Sequence, residues 1–193
     1  MFTQPSFFGI LGLLLSLCSC AQNEGVAPKG NLSGEVAYQN ETFPIIGGLI
    51  AEKSEQQNLF AFKLTERPID TTRYDTLTHY VSGTERINVL FTLVATDQIR
   101  LKEGTYQVTE KEITDPALPG GLWAHRVRVV RSNGFTGTST TGTFTIVNSG
   151  NITLKGTYPD YTIDLNLKTV AGETAAGQVR GRFITKDTWR KAQ

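Results

Sequence analysis

The chain has 193 residues, with 19 basic and 18 acidic side chains and a formal net charge of +1. That balance excludes a bulk electrostatic pull toward nucleic acid. Its two cysteines are Cys18 and Cys20, so the chain beyond residue 20 has no thiol for a disulfide, a zinc site or a nucleophile.

The first element is the apolar run from Phe7 to Leu17. It is far shorter than the roughly 20 apolar residues that a membrane-spanning helix needs, and it reads as the apolar core of a secretion signal. Leu17-Cys18-Ser19-Cys20 follows directly and resembles the lipobox of bacterial lipoproteins. The resemblance implies removal of residues 1–19 and acylation of Cys20, and several acyl chains on one residue give a durable membrane anchor. It also implies the outer membrane, because Ala21 and Gln22 replace the aspartate that retains some lipoproteins at the inner membrane. Residues 20–31 are polar, contain Gly and Pro and show no period, the composition of a flexible tether. A single domain is expected over 32–190.

From Leu32 onward the apolar period is two, which predicts strands. Val36 and Tyr38 alternate with polar or small neighbours. Phe43 to Ile50 forms a second run, interrupted at Gly47-Gly48, where a bend is expected. Phe60, Phe62 and Leu64 mark the next strand. Ile87 to Val94 is apolar on both faces, as a central strand covered on each side would be. Tyr106 and Val108 mark a short strand after Gly104. In the run from Trp123 to Arg131, alternation puts Trp123, His125, Val127 and Val129 on one face and Arg126 and Arg128 on the other. Phe144 with Ile146, Ile152 to Tyr158, Tyr161 to Leu167 and Val179 to Ile184 complete the series.

About ten short strands and no three-turn amphipathic helix predict an all-β fold, an antiparallel β-sandwich with a closed β-barrel as the alternative. One hairpin is readable in detail. A turn over Tyr158-Pro159-Asp160-Tyr161 pairs Gly156 with Ile163, Leu154 with Leu165 and Ile152 with Leu167, and sets Lys155 opposite Asp164. The apolar residues of both strands then share a face.

Gly142-Thr143-Phe144-Thr145-Ile146, Tyr161-Thr162-Ile163-Asp164-Leu165 and Val179-Arg180-Gly181-Arg182-Phe183 resemble the closing strands of small lipoproteins of the Bacteroidota. That family implies an anchored β-sandwich and supplies no catalytic residues. In the same setting, Asp70-Thr71-Thr72 and Asp75-Thr76-Leu77 resemble the O-glycosylation acceptor pattern of that phylum, which makes Thr71 and Thr76 candidate sites in a polar connection.

Catalytic and metal sites are not expected. His79 and His125 are the only histidines and lack metal-ligand spacing, and no nucleophile elbow or phosphate loop is present. No cofactor is implied. Arg126 and Arg128 share one strand face, and Arg180 and Arg182 another. On neighbouring strands these four would form an anion-binding surface for an acidic glycan or a phosphate. The expected function is therefore a non-catalytic envelope lipoprotein that binds a glycan, a lipid or a partner protein. The alternative is an envelope hydrolase with an unrecognised carboxylate site.

Overall fold

In a computed structural model, the described residues are 31–54, 59–69, 85–95, 101–111, 120–136 and 139–185. Cys20, the tether before residue 31, Thr71, Thr76 and His79 lie outside them. The described residues form eleven strands and no helix: β1 (Leu32–Tyr38), β2 (Glu41–Pro44), β3 (Gly47–Ser54), β4 (Leu59–Thr65), β5 (Ile87–Ala95), β6 (Gly104–Thr109), β7 (Leu122–Thr136), β8 (Ser139–Thr157), β9 (Asp160–Thr169), β10 (Thr174–Arg182) and β11 (Ile184–Thr185). The all-β expectation holds.

The strands make one strongly curled mixed sheet, a half-barrel, in the order β11-β3-β4-β5-β7-β6-β8-β9-β10-β1-β2, with β7 also paired to β8. Two ladders are parallel, β6 with β7 and β11 with β3. The chain itself ties the ends of the sheet together. Ile45 donates its N–H to the Gly34 carbonyl at 2.8 Å, and the next residue, Ile46, donates to Thr65 at 3.1 Å, so consecutive amides serve opposite ends of the strand order. Similarly, Phe183 alone separates β10 from β11. One sheet thereby faces itself across a single core.

The curl follows from residue size on the concave face. Cross-strand rows read Leu32–Gly181–Tyr161–Gly156, then Gly34–Val179–Ile163–Leu154–Gly104, then Val36–Gly177–Leu165–Ile152–Tyr106. The first row alternates bulk with absence of bulk, and the other two each set glycine beside a run of bulky side chains, which is how a tightly bent sheet fits side chains into its taper. At Gly177 and Gly181 the strands approach closely, since a Cβ would lie 2.0 Å from the carbonyl oxygens of Glu35 and Asn31 respectively. With glycine on both sides, Tyr161 extends its ring into the core, 6.5 Å from Phe62 and 6.3 Å from Phe183. Phe62 also stacks on Phe91 at 5.0 Å and meets Phe183 edge-on at 5.7 Å. Burial pushes the Tyr161 phenol up to about 12.

As its two apolar faces imply, β5 is central, lying between β4 and β7 and buried along almost its whole length. Two local expectations need correction. The β8–β9 hairpin pairs Thr157 with Asp160, Gly156 with Tyr161, Leu154 with Ile163 and Ile152 with Leu165, two residues away from the expected register. Tyr158 and Pro159 form its two-residue loop, where proline, lacking an N–H, breaks no ladder bond. A slide of two preserves parity, so the inward set is unchanged. The diagonal also survives: Lys155 reaches Asp164 at 3.7 Å.

The second correction lies in β7. Its ladder with β5 shifts register between Leu90 and Thr92, and Arg126 has φ of 53°. This bulge reverses which parity faces inward. Ala124 and Leu122 join the core below it, Val127 and Val129 above it. Trp123 and His125 therefore take the outer face, opposite Val94 and Thr92.

Candidate binding surface

The four arginines do not converge. β8 and β9 lie between β7 and β10, which sets the two pairs about 14 Å apart across the sheet at the usual strand spacing, and on β8 they map to Ile146 and Lys155, well separated along the strand as well. Arg182 is bonded to Asp160 at 3.1 Å, and Arg126 donates through Nε to Nε2 of His125 at 3.2 Å. A single four-guanidinium surface on neighbouring strands is thus replaced by separate sites. The condition that failed was strand adjacency, which alternation along a strand does not encode.

Arg128 instead belongs to a group that the arginine pattern did not disclose. Its guanidinium lies 5.5 Å from the centroid of Phe144, and in the β7–β8 ladder it is opposite Ile146. Val170, at the start of the β9–β10 turn, donates its N–H to the Ile146 carbonyl at 3.0 Å. Phe144, Ile146 and Val170 are 59%, 46% and 57% exposed. Parity explains this: Val147 faces the core, so Phe144 and Ile146 face outward. Lys168 is exposed on the adjoining outer face of β9. A sequence signal for this surface exists, because Leu122 to Thr157 contains Arg126, Arg128, Arg131 and Lys155 but no Asp or Glu.

The outer face of β4, β5 and β7 has a different character. Lys63, Asn88, Thr92 and His125 are all buried there, on neighbouring strands. Glu85, just before β5, is 1% exposed, and its two carboxylate oxygens have no hydrogen-bond partner among the described residues. Burial lowers the Lys63 ammonium to about 8, with the nearby Glu85 charge opposing the shift.

At one end of the half-barrel a polar network spans the concave side. Arg131 donates to Gln39 at 2.5 Å and to Glu41 at 2.6 Å, and Gln39 donates to Glu173 at 2.7 Å. The Tyr38 hydroxyl donates to Glu173 at 2.6 Å, which holds the Glu173 carboxyl below its usual range. Arg131 and Arg86 both lie over the ring of Phe43, at 5.9 and 5.3 Å. With its charges matched internally, this end acts as a latch between β1, β7 and β10's entry turn. Near the other end, an open depression of about 250 Å3 is lined by Lys155, Asp160 and Tyr161 among others. Its carboxylate, Asp160, is the one engaged by Arg182.

No family model, curated protein or solved structure matches the chain.

Proposed function

We propose that the chain is a bacterial envelope lipoprotein, anchored to the outer membrane through acylated Cys20, whose half-barrel is a non-catalytic binding module. The observation that carries the binding role is the outward surface of Phe144, Ile146 and Val170 beside Arg128. Exposed apolar side chains at neighbouring positions on one face and flanked by charge are the usual mark of an interaction surface. The concave side, by contrast, is occupied by one continuous cluster of apolar side chains. The anchor is supported by Leu17-Cys18-Ser19-Cys20 at the end of a short apolar run. Glycan, lipid and envelope protein are the candidate ligand classes.

Mass spectrometry of the N-terminal peptide, from protein extracted from membranes, tests the anchor. An acylated Cys20 as the first residue is expected; an unmodified thiol there would end the reading. A second reading, an envelope hydrolase, has Glu85 as its carboxylate, because a buried and unbonded carboxylate beside a lysine is a recognised catalytic environment. Hydrolysis of envelope glycans by the wild type, lost in Glu85→Gln, would favour that reading.

A further inference from the structure

We infer that the convex face around Phe144, Ile146 and Val170, flanked by Arg128 and Lys168, rests on an anionic lipid surface. The inference deepens the proposed function and relies on its anchor only to keep the domain near a membrane.

The first reason is charge. β7 and β8 contain no carboxylate, and the two outward acids of β9 are already engaged, Asp164 by Lys155 at 3.7 Å and Gln178 at 2.5 Å, and Asp160 by Arg182 at 3.1 Å. Arg128 and Lys168 have no carboxylate partner among the described residues. An anion from outside the chain is the complement they lack. The second reason is the order of the side chains. Arg128 sets its guanidinium over the Phe144 ring, 5.5 Å from the centroid, so a cation and exposed apolar surface lie side by side, the pairing that a headgroup boundary accommodates. Phe144, Ile146 and Val170 then face the outer few ångströms of the acyl region.

Shape separates a lipid surface from other anions. Small ligands and glycans are held in concave sites, whereas this is the outer side of a curled sheet. A bilayer needs no groove. Reach is sufficient too: residues 21–31 can span at most about 40 Å. β1, seven residues long, covers about 20 Å from Leu32 to Tyr38, whose hydroxyl is 3.2 Å from Thr145 Oγ1 beside Phe144. The domain can lie on this side while still tethered.

The test uses the full chain as extracted from membranes, reconstituted into vesicles of phosphatidylethanolamine with phosphatidylglycerol, or of phosphatidylcholine alone. Phe144→Trp places an added indole in the surface, and brominated acyl chains quench it on contact. Phe144 is exposed, so folding should be retained, and an unchanged melting midpoint verifies this. Quenching above the wild-type background from Trp123 and Trp189 is expected in the anionic vesicles, and it should weaken as salt rises. Adding Arg128→Gln or Lys168→Gln lowers the ratio of docked to undocked protein about fivefold each.

Absence of added quenching, or equal and salt-insensitive quenching in both vesicle types, overturns the docking. So does a response of the indole to soluble polyglutamate with no quenching by lipid, which would indicate an acidic protein partner. The N-terminal mass, read on the same preparation, keeps the two readings separate. Acylated Cys20 without quenching removes the docking alone, and quenching with an unmodified Cys20 removes the anchor alone.

Discussion

Phe62 is the side chain on which the core converges, in contact with Phe91 from the adjacent strand and with Tyr161 and Phe183 from across the half-barrel. Phe62→Ala leaves a cavity that those three rings cannot close without leaving their own positions. A loss of about 3–5 kcal/mol is expected, readable as a lower urea midpoint with unchanged slope. Its sequence neighbour Lys63 faces the other way and is buried as well. Between about 8 and 10.5 the unfolded chain still holds the Lys63 proton that the folded chain has released. Stability therefore rises with pH across that window, by up to about 3 kcal/mol for this group. Comparing urea midpoints of the wild type and Lys63→Met through the window isolates it: the rise should be smaller in the variant.

At the scale of elements, three features decide how strands meet: close approach, bulges and loop length. Gly177 illustrates the first, because β10 and β1 approach until a Cβ would overlap the Glu35 carbonyl. Gly177→Ala forces one of the two strands away and should cost about 1–3 kcal/mol, measured as a lower thermal midpoint. The bulge at Arg126 illustrates the second. One extra residue in β7 sends Trp123 and His125 outward and leaves Val127 and Val129 inward, an inversion that alternation alone misreads. The β8–β9 loop illustrates the third, with a shift of two that changed every partner and no face.

The whole molecule is a sheet whose order differs from chain order. β1 joins the body through β10, which arrives more than a hundred residues later, and β2 joins through β1. The N-terminal strands cannot be seated until the C-terminal ones are made. A chain ending at residue 173, before β10, should lose the cooperative melt altogether, since the β1–β2 pair would have no ladder to the rest of the sheet and the core rows would lack their Gly177 and Val179 positions. Calorimetry of that truncation checks it. A cooperative transition of undiminished enthalpy would show that β4 to β9 form an independent unit. The same arrangement fixes which face is presented outward: β7 and β8, free of carboxylates, lie near the middle of the order and turn their convex side away from the core.

Parity along each strand is a local property, and the sequence by itself determined it. Period-two alternation is imposed by backbone geometry within one strand, so the all-β class, the buried character of β5 and the inward set of the β8–β9 hairpin were readable before any pairing was known. Cys18 and Cys20 as the chain's only thiols, and the short apolar run before them, were equally plain. The tertiary structure decided everything that depends on neighbours. It separated Arg126 and Arg128 from Arg180 and Arg182 by two strands, brought Arg128 onto Phe144, and buried Lys63 beside Glu85. The reason is physical. Strand adjacency and curl arise from long-range hydrogen bonding and from glycine rows shared by several strands, and no single stretch of chain contains either.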